Sequence, residues 1–467
     1  MSSPSIKTQS RPVDVLILAA GLGTRMKSNL AKVLHKLDGR ALIAHVVRTA
    51  STLQPRKIYV VVGHQAEQVQ AAVTGDAGAE GLEFLRQVQQ RGTGDAVLTA
   101  KGALAKARST VLILSGDVPL VRAETLKRLL DTHRNENAAC TILTFRLENP
   151  SGYGRIVRDA NNGFSKIVEQ RDATEDERQI REINSGIYCF DSDQLFPALD
   201  QVLPTNSQSE YYLTDVPVIL KSNGQGVSLF QHTDAREVSG INTRAELAEF
   251  ENLVRRGTIR GLMLDAGVTF IDPSHTYISS DARIGRDCVI HPDVHIEGET
   301  ILGEACEIHQ GSRVVNSKLG NRVTVKDHCL IVDSEIADDC SVGPFAHLRM
   351  GARMAERAVV GNFVEVKNST IGRGTKSMHL TYLGDATIGD KTNIGAGTIT
   401  CNYDGKTKHP TIIGDNVRIG SDTMLVAPVT VGNGSVTAAG AVVTEDVPPN
   451  TLVAGVPAKV KKTFTEE

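Results

Sequence analysis

The strongest constraint on the fold lies in the second half of the chain, where a six-residue period takes over from about residue 265. The segments IGRDCV, IGRGTK, IGDKTN, IGAGTI, IGDNVR, IGSDTM and VGNGSV share one plan: an aliphatic residue, usually a glycine, two polar residues and a small one. IGDKTN (388–393) runs directly into IGAGTI (394–399), and IGDNVR (413–418) into IGSDTM (419–424), so the repeats keep phase. An α-helix needs period 3.6 and a half-buried strand period 2; neither fits. A triangular coil does. Each hexad forms one flat side with its aliphatic residue pointing into the prism, and three sides close a coil that stacks on the next at about 4.8 Å. About 180 residues of this kind give on the order of ten coils. A chance run of Ile-Gly turns in an ordinary sandwich would not stay in phase. Composition agrees: with 42 glycines, no tryptophan and 4% aromatics, the core must be built from Val, Ile, Leu and Ala.

The first half reads differently. DVLILAAG, KIYVVVGH, TVLILSGDVP and CTILTF are short apolar runs of the buried parallel type, separated by amphipathic stretches such as 41–54 and 94–107. That alternation predicts an α/β doubly wound domain over 13–242, with ligands at the carboxyl ends of the strands. Residues 243–264 predict a linker helix with Leu247, Phe250 and Val254 on one face and Asn242 or Thr243 as its cap. The coils follow over 265–467, and the polar residues 1–12 read as a loose, disordered tail. A net charge of -3 removes the broad electrostatic drive toward nucleic acid or an anionic membrane. The run Val15 to Ala20 is far short of the roughly 20 residues of a membrane helix. Seven cysteines without a C-x-x-C pair fit a reducing, cytoplasmic setting better than a disulfide framework.

Directly after the first strand stands L-A-A-G-L-G-T-R-M, Leu18 to Met26. Gly21 and Gly23 permit a tight turn whose N–H groups face phosphate oxygens, and Arg25 and Lys32 add charge; a lone G-x-G is equally a plain strand-to-helix turn. A dinucleotide fingerprint would need glycine where Met26 stands, and the Walker G-K-[ST] is absent. The longer motif, followed by Lys32 in K-V-L-H, resembles the sugar-nucleotide pyrophosphorylases. Further matches come in family order: Gln87 ahead of Q-x-G-T-G-D-A with Gly92 and Thr93, S-G-D-V-P with Ser115 and Asp117, G-Y-G-R-I with Gly154, V-E-Q-R-D with Glu169, E-I-N-S-G-I-Y with Asn184, E-Y-Y-L-T-D, and V-S-G-I-N with Asn242. Joined to the hexads, the chain over roughly 13–454 resembles the bifunctional N-acetylglucosamine-1-phosphate uridylyltransferase / glucosamine-1-phosphate N-acetyltransferases. That resemblance makes the coils a left-handed parallel β-helix and implies a product used for peptidoglycan and lipopolysaccharide.

The resemblance implies attack of a sugar-1-phosphate oxygen on the α-phosphorus of UTP. Such a transfer needs alignment and charge neutralisation more than a protein nucleophile. Arg25 and Lys32 would stabilise the developing charge, and Asp117 and Asn242 would hold Mg²⁺. Leu18, Ala19, Ala20, Gly21, Gln87, Gly92 and Thr93, with Ser115 beside Asp117, would hold the nucleotide. Gly154, Glu169 and Asn184 would contact the acetylated sugar. Singly, an Asp at a strand end is a turn residue and Asn242 a cap; their joint order carries the assignment. Ala31 departs from the family's proline before the lysine, which is expected to loosen the approach to Lys32.

The hexads break at Thr400 to Thr411 (TCNYDGKTKHPT), and an insertion that breaks a repeat projects from one face. By the same resemblance Arg349, Lys367 and Lys408 bind the phosphate of glucosamine-1-phosphate, and Tyr382 and Asn393 orient the sugar. Ala396, Asn402, Tyr403, Ser421 and Ala439 line the acetyl-CoA groove. Acetylating an amine requires removal of a proton, a task suited to histidine, and His379 in H-L-T-Y-L-G-D is the general base expected. No second histidine or cysteine stands at ligand spacing from it. The family's CoA-binding arginine near the coil end is missing from L-V-A-G-V-P-A-K-V-K-K; Lys459, Lys461 or Lys462 supplies that charge, or the three form a solvated basic tail. The resemblance also implies a homotrimer with the acetyl site between chains. Two other readings stand beside this one: a single-activity nucleotidyltransferase whose coils only bind or oligomerise, and a non-catalytic scaffold. The His379, Lys367, Asn402 and Tyr403 set weighs against the first, and the Arg25, Lys32 and Asp117 set against the second.

Overall fold

The computed structural model describes residues 11–21, 23–77 and 81–464, in two compact units that divide between Phe250 and Glu251. The tail expected over 1–12 lies outside the described residues except for its end. There Arg11 bonds the Asp193 carboxylate at 2.5 Å and the Pro12 carbonyl accepts from Thr110 N.

The first unit is built on a mixed sheet. Its strands are β1 (Val13–Ala19), β2 (Lys57–Val62), β3 (Leu82–Arg86), β4 (Thr110–Ser115), β5 (Cys140–Arg146), β6 (Arg155–Arg158), β7 (Phe164–Val168), β8 (Glu182–Asp191) and β9 (Val227–Gln231). They lie in the order β9-β5-β8-β4-β1-β2-β3, with the β6–β7 hairpin paired to β8. The central β1 runs parallel to β2 and β4, as its continuous apolar sequence predicts. Alternate side chains of β1 feed two cores: Val15 and Ile17 pack with Ile43, Val46 and Leu126, while Leu16 packs with Ala96, Leu104 and Phe196. Both faces are thereby covered by helices, which is the doubly wound arrangement.

Two details depart from expectation. Strand β8, unrecognised in the sequence, runs antiparallel to both β4 and β5. The chain reaches it from a hairpin and a single helical turn, Glu175–Arg178, so no crossover helix forces it parallel. The amphipathic stretch 94–107 is split into Thr93–Leu98 and Lys101–Leu104. The Thr99 hydroxyl turns back onto the Ala96 carbonyl at 2.7 Å and competes with the helical ladder there.

The long helix spans Arg244–Asp265, one residue from the expected limits. Thr243 is its cap: its hydroxyl accepts from Glu246 N at 3.1 Å and the Glu246 carboxylate accepts from Thr243 N at 3.0 Å, a reciprocal capping box. Of the three residues expected on its apolar face, Phe250 is buried and Leu247 and Val254 are half-buried.

The second unit is a parallel β-helix. Rungs on one face pair Arg283 with Ile301, Ile301 with Lys318 and Lys318 with Glu335, and that face holds nine strands. Successive coils lie 17 residues apart where Asn321 N donates to Asp338 Oδ1 and 25 apart where Asp390 N donates to Asp415 Oδ1, which is the expected insertion. Three aliphatic columns fill the prism, among them Ile284–Leu302–Leu319–Ile336 and Ile296–Val314–Ile331–Leu348, each side chain 6% exposed or less. Corners need a left-handed backbone, which Asp293, Asn316, Asp339 and Asn416 supply with φ from 46° to 60°. Glycine is required where coils touch: a Cβ on Gly303 would lie 2.6 Å from the Gly320 carbonyl. The prism ends in an antiparallel hairpin, Thr451–Gly455 with Ala458–Thr463, which covers the last open rung. Because each inward side chain has neighbours only above, below and across, Ile331→Ala should cost about 2–5 kcal/mol, read as a lowered urea midpoint.

Candidate active sites

The first site is a cavity of about 450 Å³ at the carboxyl ends of β1 and β4. It is lined by the expected Leu18, Ala19, Ala20, Gly21, Lys32, Gln87, Gly92, Thr93, Ser115 and Asp117. Gly23, named for the same turn, lines it as well, and sequence reasoning left out Thr24, Val33, Gln90, Ala96 and Glu210, which also line it. Gln90 stood inside the quoted Q-x-G-T-G-D-A motif; its amide donates to the Ala20 carbonyl at 2.7 Å and ties the two glycine loops together. Gly92 has φ 109°, and a Cβ there would meet the Tyr211 carbonyl at 2.5 Å. That contact explains why E-Y-Y-L-T-D accompanies the second glycine turn, since Gly94 N also donates to Tyr211 O and Leu213 N to the Thr93 hydroxyl. Gln87 is buried and spends its amide N–H on Asp95 at 2.8 Å.

At the cavity's polar end five of the expected residues form one network. The Lys32 ammonium is in contact with Asp117 Oδ2 and lies 3.1 Å from Asn242 Oδ1. Arg25 donates to the same Asn242 oxygen at 2.8 Å, and the Ser115 hydroxyl to Asp117 Oδ1 at 2.7 Å. Burial alone would raise the Asp117 carboxyl, but the adjacent ammonium and the Ser115 hydroxyl hold it below the usual carboxylate range. With Thr243 as the helix cap, the Asn242 side chain is left to face this network. Two hard oxygens from distant segments, Asp117 Oδ2 and Asn242 Oδ1, thus converge on one cationic point. Such a donor pair fits a divalent ion of the magnesium kind, which takes few protein ligands and fills its shell with phosphate and water.

Gly154, Glu169 and Asn184 form a neighbouring group. A Cβ on Gly154 would lie 3.4 Å from Glu169 Oε1, and Asn184 N donates to the Gly154 carbonyl at 2.9 Å. Burial pushes the Glu169 carboxyl up, Asp172 and Asp215 push it further, and the Thr214 hydroxyl opposes them. The Asn184 amide sits in the β8 bulge, donating to the Tyr188 hydroxyl at 2.6 Å and accepting from Gly186 N.

Ala31 does not loosen the approach to Lys32. Its φ of -55° is one that proline would adopt, and its N–H donates to Gln65 Oε1 at 2.7 Å. The Gln65 amide in turn donates to the Asn29 carbonyl at 3.0 Å, so a side chain pins this turn.

The coils carry the second set of residues in two columns. His379 lies on the strand Lys376–Gly384, exposed, with Nδ1 2.5 Å from Asn362 Oδ1 on the preceding coil. An amide oxygen accepts only, so Nδ1 is the donor in this contact and Nε2 is the nitrogen left to face a substrate. Asn362 opens N-F-V-E-V-K, the segment that ends in the expected Lys367, and was not itself expected. Following His379 through successive coils, Ala396, Ser421 and Ala439 occupy the equivalent place, each one residue before a left-handed corner at Gly397, Asp422 and Gly440. Their backbones stack through Gly397 N to Leu380 O, Asp422 N to Ala396 O and Gly440 N to Ser421 O. Small side chains therefore continue the histidine's corner along the prism.

The other column gathers cations. Arg349 pairs with Lys367 and Lys367 with Gly384 in register. Lys367 is buried with Nζ 3.7 Å from Asp385 Oδ2, and Asn402 donates to the same oxygen at 2.5 Å. Lys408, from the insertion, faces Lys367, and that second ammonium holds it below the usual lysine range. Tyr382 and Asn402 both border Gly384. Arg349 is itself bridged to Glu365 at 2.6 Å. The insertion is ordered by Asp404, which accepts from Lys406 N, Thr407 N and His409 Nε2, and it leaves Tyr403 60% exposed. Asn393 is not drawn into this cluster: it lies on another face, paired with Lys376 and Arg418. At the prism's end Lys459 reaches Glu445 at 3.8 Å and Lys462 lies over the Phe464 ring.

Comparison with known proteins gives three family matches: a MobA-like NTP transferase domain over 15–206, a GMPPB C-terminal domain over 273–360, and six bacterial transferase hexapeptide repeats over 410–445. Among curated proteins, "Bifunctional protein GlmU" of Geobacillus sp. (strain WCH70) is 49% identical over 437 residues, 94% of each chain. That of Syntrophomonas wolfei is 46% identical over 94% of this chain and 96% of its own. The Listeria monocytogenes protein of the same description is 46% identical over 94% of both. Because its Cβ would press on backbone that cannot yield, Gly92→Ala should destabilise the first unit by about 1–3 kcal/mol, measured by urea denaturation.

Proposed function

The chain belongs to the bifunctional GlmU family, and we propose how its residues divide the work. The enzyme acetylates glucosamine-1-phosphate with acetyl-CoA and transfers UMP from UTP to N-acetylglucosamine-1-phosphate, giving UDP-N-acetylglucosamine and pyrophosphate. Its coils are the left-handed parallel β-helix of hexapeptide transferases. The observation that carries the division is that the candidates gather separately: Asp117 and Asn242 around Lys32 in one unit, Ala396, Ser421 and Ala439 in line with His379 in the other.

In acetyl transfer the phosphate of the amino sugar rests on Lys367, Lys408 and Arg349, where two facing ammoniums leave positive charge uncompensated by Asp385. His379 Nε2 takes the proton as the amine attacks the thioester carbonyl; the new bond is C–N, the broken one C–S, and CoA leaves as thiol. Asn362 keeps the imidazole in the tautomer that this step needs. Ala396, Ser421 and Ala439 present a shallow groove to the extended CoA arm, with Asn402 and Tyr403 at its rim.

In uridylyl transfer the glycine turns hold the nucleotide, and Glu169, Asn184 and Gly154 hold the N-acetyl sugar. The sugar phosphate oxygen bonds to the α-phosphorus as the bond to pyrophosphate breaks. Lys32 and Arg25 take up the charge that builds on the phosphates. Asp117 and Asn242 would hold Mg²⁺, which when bound neutralises phosphate charge and fixes the in-line geometry. Asp117→Ala should lower uridylyl transfer about 10³-fold and leave acetyl transfer intact, and His379→Ala should do the reverse by about 10²–10⁴-fold. Separate assays of pyrophosphate and free CoA thiol check both; His379→Ala acetylating within a few-fold of the parent would remove the base assignment.

The reading includes a cytoplasmic homotrimer, with no nucleic acid or membrane as partner. Cytoplasm agrees with seven free cysteines, six of them buried. Self-association is supported by an apolar corner beside the histidine: Phe345, Phe363 and Leu380 are 48%, 56% and 61% exposed, and the two phenyl rings stack at 5.2 Å. His379 and Gly384, which mark the two columns, lie on the strand Lys376–Gly384 on either side of the left-handed Leu380, so a second copy at this corner would bring another chain's cations toward the imidazole. Phe363→Glu should shift the mass in light scattering from three chains to one, abolish acetylation and spare uridylyl transfer.

A further inference from the structure

The coils hold another cluster of ligand-type side chains that neither reaction uses. His291 and His309 follow the paired residues Ile290 and Ile308 on adjacent rungs, so their rings stack with centroids 4.6 Å apart and planes 12° apart. Glu307 turns its carboxylate to the same point. Its Oε1 lies 3.2 Å from His291 Nε2 and 3.5 Å from His309 Nε2, and one ligand atom from each residue lies within 4.8 Å of the others. Bonds of about 2.0–2.1 Å to a tetrahedral ion set neighbouring donors about 3.3 Å apart, so the two carboxylate–imidazole separations match edges of a coordination shell.

The surroundings favour an ion over a plain hydrogen-bonded pair. On neighbouring coils several exposed carboxylates are matched by guanidinium: Glu297 by Arg313 at 2.8 Å, Asp339 by Arg322 at 2.7 Å, Glu304 by Arg286 at 3.2 Å. Among the described residues, the ion pairs of Glu307 are to imidazoles alone. The ladder fixes the ligands before any ion arrives: His291 N donates to Ile308 O at 3.0 Å and His309 N to Val325 O at 2.8 Å. The next rung has Thr324 opposite Glu307 and Lys326 after Val325, neither a ligand of this type, so the cluster suits a single ion. All three side chains are half-buried, which leaves a fourth position open to water.

We propose that His291, Glu307 and His309 bind one divalent transition ion of the zinc class, clamping two adjacent coils. Two imidazole nitrogens and one carboxylate oxygen favour such an ion over magnesium or calcium. The test uses the full chain without an affinity tag, stripped with chelator, titrated with Zn²⁺ by calorimetry and with Co²⁺ by visible absorption. The expected result is one ion per chain with the absorption of four-coordinate Co²⁺, unchanged in Asp117→Ala. Glu307→Gln and the double variant His291→Gln/His309→Gln should weaken binding by about 100-fold or more. Both should keep far-UV dichroism and uridylyl transfer, which separates a lost ligand from a lost fold. Equal binding by parent and double variant, or no saturable binding by the parent up to roughly millimolar metal, would overturn the assignment.

Discussion

The nucleotide-binding unit depends on one shared ammonium. Lys32 lies against Asp117 at the end of β4 and reaches Asn242 at the start of the long helix, so three segments far apart in sequence meet at one nitrogen. An aspartate this deeply buried would be costly without a cation, and removing one partner of such a pair typically costs several kcal/mol. The glycine loop serves the lysine as much as any phosphate: a Cβ on Gly23 would lie 2.4 Å from Lys32 Cβ. The capping box at Thr243 serves it too, because a helix capped by Asn242 would have turned that oxygen toward its own backbone. Turn chemistry, helix capping and ion pairing are here parts of one arrangement.

Much of the fold was legible because two physical periods are written directly into the chain. The hexads are readable since every coil side must place one aliphatic residue inside and a tight corner after it. The parallel strands are readable since burial on both faces leaves few places for polar residues. The direction of β8 was not legible, as an antiparallel strand flanked by others has the same apolar content as a parallel one. Nor was the break in 94–107, which turns on a single threonine hydroxyl.

The sites were legible as motifs rather than as shapes. Gln90 stood inside a quoted motif and Asn362 only five residues ahead of the expected Lys367, yet the interactions they make cross between loops or coils and leave no local periodic trace. The alignment of His379 with Ala396, Ser421 and Ala439 is hidden for a plainer reason. Steps of 17 residues keep a column visible, and the insertion lengthens one step to 25. His291 and His309 are concealed in the same way: a full turn of the prism separates neighbours that touch.

Ala31 shows how one small change is absorbed. A proline there would hold the same backbone angle through its ring and would stiffen the unfolded chain by about 0.4–1 kcal/mol. It would also delete the N–H that Gln65 now accepts, stranding that carbonyl oxygen. The ring and the glutamine are alternative fasteners for one hinge point. In this chain, then, the grip on the turn ahead of Lys32 is kept by position 65 rather than by the residue at 31 itself.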